Sequence, residues 1–342
     1  MTTTTVKALA ASPVIRTRSR ANTAVADISV CIANWNCREY LRACLESLRE
    51  IPQGLRVEVI LADNASTDGA AEMVRQEFPE VTLVRNAENL GFARASNQAA
   101  RLARGRWLLF LNNDTVVAPG TLRELCDYAE AHPEAGLVGP MLRDGRGQPQ
   151  ISYRRRPTIA ALLHRTSLLR WTGVFRREYY EYRRDTFDPT RTREVDVLMG
   201  AAVLIARDRF ERVGGWDEDF RFGGEDIELS IRVGRHAKLM YVPEIEITHF
   251  GRVSSRLNIA FSAPNVIIGY IHYFRKTGSS GIAIALYKTL VTVDAPIQIA
   301  IKSVQCAWRR LCGRSEKSRK SLIAIRGIRQ FLFHDLYRFW KS

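Results

Sequence analysis

Short apolar segments alternate with segments of helical periodicity between residues 28 and 141. Four apolar segments have the length and composition of buried strands: 28–33, 57–62, 81–85 and 107–111. After the first of them, Leu41, Cys44, Leu45 and Leu48 recur at helical spacing, and similar patterns follow the others. Strands that alternate with helices in this way predict an α/β fold, in which a parallel sheet carries helices on both faces.

Polar side chains occur at or just past the ends of these predicted strands, at Asn36, Asp63, Asn89 and Asp114. Ligands of parallel sheets bind beyond the carboxyl ends of the strands, so this agreement in position predicts one binding edge. The sequence contains neither GxGxxG nor GxxxxGK[ST]. Neither a dinucleotide fingerprint nor a P-loop therefore supports the site.

The fourth apolar segment leads directly into Asn112, Asn113 and Asp114. Side chains two apart on a strand share a face, so Asn112 and Asp114 would present two oxygen ligands on one side. Such a pair can offer a divalent cation to a diphosphate without enclosing the ion. A plain Asn/Asp turn after a buried strand also fits this segment. A second acidic cluster, at 217–219 and 225–226, favours the functional interpretation.

The pattern changes after residue 141. Residues 143–193 are rich in Arg and Tyr and are predicted to form a long, partly helical excursion. Two strands are predicted about Gly200, within 195–205, followed by a short helix through Phe210. The remaining predicted elements are a helix at 225–235, strands at 238–242 and 246–250, and a basic helical region at 265–342.

The net charge of +15 is concentrated in two regions. Residues 301–342 carry eleven Lys and Arg against two acids, and residues 143–193 carry thirteen Arg against five acids. Two basic regions on a nearly neutral body indicate an anionic partner: a membrane leaflet, a diphosphate or nucleic acid. Nucleic acid is disfavoured, because the aromatic residues lie in apolar-periodic segments and no recognised binding module is present.

Three further features of the sequence limit the classes of protein to which this chain can belong. The six cysteines show no CxxC spacing, so no zinc site or disulfide framework is predicted and a reducing cytosolic setting is expected. Residues 1–26 lack the apolar core of a secretory signal and are predicted to form a disordered arm. The best membrane-spanning candidate, 281–301, is interrupted by Lys288, Asp294 and Pro296, so no transmembrane helix is predicted.

An ordered set of motifs between residues 28 and 255 carries a family resemblance. The motifs are Asn34-Trp35-Asn36, the segment 63–69 (DNASTDG), the segment 89–93 (NLGFA), the segment 111–115 (LNNDT), the segment 214–220 (GGWDEDF) and Gly224-Glu225-Asp226. With these spacings the chain resembles an inverting family 2 glycosyltransferase of the rhamnosyltransferase-like branch. The resemblance implies a GT-A fold, with a Rossmann-like nucleotide-binding sheet, at residues 27–260. The basic helical extension would then be 261–342.

The resemblance implies roles for residues of the donor site. Asp63 would bind the base or ribose of the nucleotide-sugar, with Asn36, Asn89 and Asn113 in the same pocket. Asn112 and Asp114 match the family's Asp-x-Asp, which binds Mg²⁺ or Mn²⁺ on the donor diphosphate. Asn112 replaces the first acid of that motif, which weakens the site by one charge.

The resemblance also implies further residues of the metal and acceptor sites. His249 matches a position that supplies another metal ligand in some relatives, although a histidine at a strand end is often structural. Asp226 corresponds to the catalytic base, and Glu225 is its neighbour. Asp226 could instead only favour the helix dipole.

The acceptor-binding candidates are Trp216, Asp217, Asp219 and Gly200. Each has a structural alternative: packing for Trp216, turn formation for Asp217 and Asp219, and a tight β-turn for Gly200.

The predicted reaction is a metal-dependent, inverting sugar transfer in cell-surface polysaccharide assembly. The resemblance implies dTDP-L-rhamnose as donor and a polyprenyl-diphosphate-linked saccharide as acceptor. A UDP-sugar transferase and a nucleotide-sugar-binding protein without transfer activity remain alternatives. Basic residues mixed with aromatics after residue 300 are typical of an interfacial helix on an anionic leaflet, and equally of a helix packed on the catalytic domain. The expected location is the cytoplasmic face of the cell membrane.

Overall fold

The protein is built on a ten-stranded mixed sheet, in which four strands from the first third of the chain run parallel. The computed structural model describes residues 26–50, 54–183, 187–251 and 258–342. The predicted disordered arm therefore lies outside the described residues except for residue 26. The strands are β1 (Ile28–Asn34), β2 (Val57–Asp63), β3 (Thr82–Arg85), β4 (Trp107–Asn112), β5 (Thr115–Val117), β6 (Ala135–Arg143), β7 (Pro149–Gln150), β8 (Tyr153–Arg154), β9 (Arg193–Glu194), β10 (Val197–Leu198), β11 (Ala202–Ala206) and β12 (Lys238–His249).

Helices cover both faces of the sheet and make up nearly all of the C-terminal region. They are α1 (Arg38–Ser47), α2 (Ala70–Glu77), α3 (Phe92–Leu102), α4 (Thr121–Ala131), α5 (Ile159–Leu163), α6 (Ser167–Thr172), α7 (Arg176–Arg183), α8 (Arg207–Arg212), α9 (Glu225–Val233), α10 (Ile259–Lys276), α11 (Gly281–Leu311), α12 (Ser315–Gln330) and α13 (Leu336–Lys341). One π-helical turn, Phe331–Asp335, joins the last two.

The main path of the sheet runs β3-β2-β1-β4-β11-β6-β12-β5. The first four strands are parallel, as predicted, whereas β11 is antiparallel to both β4 and β6. In this register Asn34 lies opposite Asp63, and Ala33 lies opposite Asn112. The carboxyl ends of β1, β2 and β4 therefore meet at one edge.

Alternating side chains of the strands divide the core into two layers. Ile32 and Leu109 point into a layer that also holds Leu41 and Leu45 of α1. Cys31 and Phe110 point into the opposite layer, which includes residues of α3 and α9. This alternation follows from the two-residue period of a strand and confirms the predicted helices on both faces.

Two details differ from the sequence-based prediction. Residues 238–249 form the single strand β12, whose register against β6 shifts between Val242 and Glu246, where a break between two strands was expected. Strand β4 includes Asn112, but Asn113 and Asp114 lie in a turn before β5. Strand alternation therefore does not extend from Asn112 to Asp114, because the backbone changes direction between them.

The best membrane-spanning candidate of the sequence, residues 281–301, lies in helix α11. This is a continuous 31-residue helix, long and apolar enough to cross a bilayer by length and composition. Pro296 lies inside it without ending it. Lys288 and Asp294, which were expected to interrupt an apolar segment, are buried against other parts of the protein.

The C-terminal helices share a core with the second half of the chain. This core contains Ile227 of α9 together with Ile271 and Phe274 of α10 and Phe339 of α13. Helix α10 crosses the loop before α9 at Gly269, where an added Cβ would lie 1.9 Å from the carbonyl oxygen of Gly223. Close backbone contact therefore joins the helical region to the loop that precedes Glu225.

We expect Gly269→Ala to destabilise the protein by about 1–3 kcal/mol, as overpacked sites do, because the new methyl group must push α10 away from Gly223. Chemical denaturation measures the change in the free energy of unfolding. Gly281→Ala is the matched control, since an added Cβ there meets no atom within 4 Å. Equal stability of both variants would contradict the close packing of α10 on this loop.

Candidate active site

A hydrogen-bonded group of buried polar residues lies where β1, β2 and β4 end. Asp63 Oδ1 accepts a hydrogen bond from Asn34 Nδ2 at 2.9 Å, and Asp63 Oδ2 accepts one from the Ser66 backbone N–H at 2.9 Å. Asn113 Nδ2 donates to Asn34 Oδ1 at 2.7 Å. Asn34 thus joins two predicted donor-site residues, and sequence reasoning missed its role. Its position opposite Asp63 in parallel strands is the signal that could have identified it.

The other two predicted nucleotide-site residues shape loops at the same edge. Asn36 adopts a left-handed backbone conformation with φ of 49°, and its Oδ1 accepts a hydrogen bond from the Thr67 backbone N–H at 2.8 Å. Asn89 Oδ1 accepts one from the Gly91 backbone N–H at 2.9 Å. These bonds order the two loops, and direct nucleotide contact by either side chain stays a prediction.

Two of the three predicted metal ligands lie next to each other. His249 Nε2 is 3.3 Å from Asp114 Oδ1, and both side chains are buried. The pairing of β12 with β5 places His249 opposite Thr115, beside Asp114. Gln150 Oε1 lies 3.0 Å from His249 Nδ1 and orients the ring. Asn112 ends β4 two residues before Asp114 and is partly exposed.

This donor set suits an open cation site. A carboxylate, an imidazole and an amide oxygen are ligands that Mn²⁺ accepts, and Mg²⁺ accepts the oxygen ligands. Among the described residues there is no group of three or more His, Cys, Asp or Glu side chains that could hold a metal by itself. An ion held by Asp114, His249 and Asn112 would have coordination positions open to water or to oxygen atoms of a ligand.

The two predicted catalytic carboxylates begin α9. Gly224 precedes them with φ of 99°, a left-handed conformation that glycine adopts readily. Asp226 Oδ2 lies 3.2 Å from a terminal nitrogen of Arg154, and the two side chains are 13% and 8% exposed. An added Cβ on Gly200 would lie 3.2 Å from Asp226 Cβ, so Gly200 borders the proposed base.

Glu225 is buried beside Asp226, and its Oε2 makes no hydrogen bond to any described residue. Burial, and then the neighbouring charge of Asp226, raise the pKa of Glu225 to about 8. Glu225 is thus mainly protonated at neutral pH. Asp226, the predicted base of the pair, faces the guanidinium of Arg154.

Arg154 belongs to a run of three arginines, residues 154–156, and a charge run usually lies on a solvated face, but Arg154 is buried. Strand β8 pairs with β10 and places Arg154 opposite Val197, inside the protein. Its guanidinium lies 5.6 Å from the ring centroid of Tyr182, whose hydroxyl is 3.1 Å from that of Tyr270. The sequence could not show this pairing, because Arg154 and Asp226 are 72 positions apart.

The predicted acceptor residues on the loop before α9 have internal partners. Trp216 is 2% exposed, and its ring packs edge-on against Phe92 and Phe110. Asp217 and Asp219 both bond to Lys276 of α10, at 2.7 Å for Asp219. These contacts stabilise the loop, and contact of any of the three with an acceptor stays a prediction.

We expect Glu225→Gln to flatten the dependence of stability on pH. The folded-state pKa of about 8 exceeds the ordinary value of 4.5, so the folded state holds the proton more tightly than the unfolded state. Wild-type stability should therefore fall as the pH rises from about 4.5 to 8. Urea denaturation at several pH values would measure this slope. Glu211→Gln, at an exposed site, should keep the wild-type slope, and an unchanged slope in Glu225→Gln would contradict the assignment.

Comparison with known sequences identifies relatives of this chain. The family model described as Glycosyl transferase family 2 matches residues 29–213. A Mycobacterium tuberculosis protein named N-acetylglucosaminyl-diphospho-decaprenol L-rhamnosyltransferase is 34% identical over 211 residues, which cover 56% of this chain and 66% of that protein. The O-antigen biosynthesis protein RfbC of Myxococcus xanthus is 27% identical over 252 residues, covering 71% and 19% respectively. The chain thus spans less than two-thirds of the length of either relative.

Solved structures share the fold. GalNAc-T7, crystallised with UDP, GalNAc and Mn²⁺, aligns with a TM-score of 0.53 and 18% identity over 74% of this chain and 48% of that one. Mannosyltransferase PcManGT from Pyrobaculum calidifontis, in complex with GDP-Man and Mn²⁺, aligns with a TM-score of 0.50 and 16% identity over 92% and 88%. The predicted GT-A fold is confirmed. The family model covers more than half of the 342 residues of this chain, and the chain therefore belongs to glycosyl transferase family 2.

Proposed function

We propose that the protein transfers a sugar from a nucleotide-sugar to a polyprenyl-diphosphate-linked saccharide, with inversion of the anomeric carbon. The name of the mycobacterial relative supports L-rhamnose as the transferred sugar and a lipid-diphosphate-linked acceptor, and the donor we propose is dTDP-L-rhamnose. The reaction would belong to cell-surface polysaccharide assembly at the cytoplasmic face of the membrane. Residues 27–260 would carry transfer, and residues 261–342 would contact the membrane.

The segment 200–201 supports this proposal most directly, because it joins the two halves of the site. The Asn112 backbone N–H donates a 2.8 Å hydrogen bond to the carbonyl oxygen of Ala201. The adjacent Gly200 borders Asp226, with its Cβ position 3.2 Å from Asp226 Cβ. The Asn112–Asp114 motif and the carboxylate of α9 are therefore brought together, as transfer between a donor diphosphate and an acceptor hydroxyl requires.

Asp114 and His249, with Asn112, would hold Mg²⁺ or Mn²⁺ at the donor diphosphate. Such an ion, when bound, neutralises the charge that develops on the leaving diphosphate. Asp226 would accept the proton of the acceptor hydroxyl as the hydroxyl oxygen attacks the anomeric carbon from the face opposite the leaving group. The new glycosidic bond forms as the bond to the diphosphate breaks, so a single displacement inverts the configuration.

Two alternatives follow from particular observations. A UDP-sugar such as UDP-galactose or UDP-N-acetylglucosamine is a second candidate donor, because uracil differs from thymine only by lacking one methyl group. Asn112 in place of an acid also fits a protein that binds nucleotide-sugars without transferring them.

Nucleotide release from a panel of dTDP-, UDP- and GDP-sugars tests the proposal. We expect slow release from one donor, dTDP-L-rhamnose, in the presence of Mn²⁺ or Mg²⁺. EDTA should reduce that release to background, since the diphosphate would lose its counter-charge. Adding back Mn²⁺ in excess should restore it.

Release that is insensitive to EDTA would contradict the metal assignment, and release from a UDP-sugar alone would replace the proposed donor. If no donor is hydrolysed, calorimetric titration of each donor separates the remaining outcomes. Binding without release, even with a lipid-linked acceptor, would support the non-transferring alternative. Absence of binding would overturn the proposed function.

A further inference from the structure

Helix α11 has one long face that no other described part of the protein covers. Its exposed positions before Arg310 carry no charge: Gly281, Ile282, Ala285, Leu286, Thr289, Val293, Pro296, Ile297, Ala300, Ile301, Ser303, Val304, Ala307 and Trp308. The large members are substantially exposed, for example 85% for Ile282, 71% for Val304 and 65% for Trp308. At 100° per residue, the large apolar members fall within about one-third of the circumference. We call this the α11 stripe; at 1.5 Å per residue the helix is about 45 Å long.

Positions of the same helix outside the stripe are tied to the protein by polar contacts. Lys288 Nζ donates hydrogen bonds to the backbone oxygens of Trp340 at 3.0 Å and Ser342 at 2.7 Å. Asp294 Oδ1 accepts one from the Ser167 backbone N–H at 2.7 Å. A helix surrounded by lipid would lose these partners and leave charged groups in hydrocarbon, which is costly. The packing is therefore compatible with a helix lying in the membrane plane, and not with one crossing the membrane.

Neighbouring elements extend the apolar surface and surround it with positive charge. Helix α6, whose first residue Ser167 bonds to Asp294, exposes Leu168 at 59% and Trp171 at 85%. The basic cluster at the end of α11 and the start of α12 is exposed throughout: Arg310, Arg314, Lys317, Arg319 and Lys320. One acid, Glu316, lies within that range of residues. Aliphatic and Trp side chains beside Lys and Arg are the pattern of helices at the surface of anionic bilayers.

We propose that the α11 stripe, with Trp171 of α6, inserts into the headgroup region of an anionic lipid leaflet while the basic cluster binds the lipid headgroups. A second copy of this chain would bring the same net charge of +15, whereas an anionic leaflet complements it. The inference deepens the proposed function, because it names the surface by which the enzyme reaches a lipid-linked acceptor. It also moves the principal membrane contact from residues 301–342, where the sequence placed it, to residues 282–308.

The membrane-facing helices are rigidly connected to the proposed catalytic loop. Phe274 of α10 packs edge-on against Tyr287 of α11, with ring centroids 5.9 Å apart. The same α10 contacts Gly223 through Gly269 and holds Asp219 through Lys276 at 2.7 Å. Docking of α11 would therefore set the height and orientation of Asp226 relative to the leaflet.

Flotation of the full-length protein with phosphatidylglycerol-containing vesicles tests the surface. The informative variant is Val293→Lys combined with Val304→Lys, at positions 58% and 71% exposed. The variant adds two positive charges, which by electrostatic attraction alone would strengthen binding to anionic vesicles. It also removes apolar contact with the bilayer, so weaker binding would show that the apolar contact matters. We expect the bound fraction to correspond to at least a tenfold weaker partition coefficient. Gln76→Lys combined with Ala131→Lys adds the same charge at exposed positions of α2 and α4 and should bind at least as tightly as wild type.

Unchanged thermal unfolding of the Val293→Lys/Val304→Lys variant would show that the exposed substitutions leave the fold intact. Undiminished vesicle binding by the folded variant would overturn the inference. The inference would also be overturned if the wild type did not bind vesicles and formed a dimer in light scattering that the double substitution dissociated. The stripe would then join two copies of the chain. Resistance of wild type to alkaline carbonate extraction would overturn the in-plane arrangement. Nucleotide release in solution does not need vesicles, so failure of the proposed reaction and failure of this surface are distinguishable.

Discussion

Replacing Asp226 with Asn is expected to reduce sugar transfer by about 10²–10⁴-fold while leaving donor binding unchanged, because a positioned general base contributes a factor of that size. The amide has the shape of the carboxylate but cannot accept the proton of the acceptor hydroxyl. Donor binding should persist, since Asp63, Asp114 and His249 lie on other elements of the sheet edge. Transfer to acceptor and calorimetric titration of the donor, measured on the same preparation, provide the two readouts.

Asp208→Asn is the matched control for this substitution. Asp208 is an aspartate on the first turn of α8, 72% exposed, whose side chain bonds to Arg212 and to its own helix. Its replacement should leave both transfer and binding unchanged. Normal transfer by Asp226→Asn would show that the base assignment is wrong. A simultaneous loss of donor binding would mean that Asp226 supports the donor pocket instead.

Replacing Arg154 with Met is expected to produce the second-largest effect. It should lower the stability of the protein and change how that stability depends on pH. Removing one partner of a buried ion pair costs about 3–5 kcal/mol, because the remaining charge stays buried without compensation. The guanidinium also lowers the pKa of Glu225, opposing its burial. Without Arg154, Glu225 should hold its proton to still higher pH, so the fall of stability with rising pH should continue to higher pH.

Arg154→Lys should partly restore the wild-type dependence of stability on pH. The lysine keeps a positive charge, although it loses the planar guanidinium over Tyr182. Arg155→Met is the control of identical chemistry at the adjacent position, where the side chain is 57% exposed and 3.6 Å from Glu181. It should change stability by less than about 0.5 kcal/mol. Urea denaturation at several pH values between 6 and 9 measures both effects. A folded Arg154→Met protein whose stability depends on pH as that of the wild type does would show that Arg154 does not lower the pKa of Glu225.

Much of the parallel part of the sheet could be predicted from the sequence. Strands β1, β2, β3 and β4 were predicted within one residue at each end, because each is an apolar segment bounded by polar turns. The edge carrying Asp63 and Asp114 could also be predicted, since parallel strands joined by helices place their carboxyl ends together. These are consequences of local hydrophobic periodicity, which the amino-acid order expresses directly.

Contacts between distant segments were decided only by the tertiary structure. The burial of Arg154 against Asp226 depends on the β8–β10 pairing, which two-residue strands do not reveal in sequence. From the sequence, α11 was interpreted as an apolar segment interrupted by Lys288 and Asp294. The sequence alone cannot show that these two residues find partners in α13 and at the start of α6. Local pattern determines which face of an element is apolar. Whether that face, or a charge beside it, is covered depends on which remote segment packs there, and that is a property of the fold as a whole.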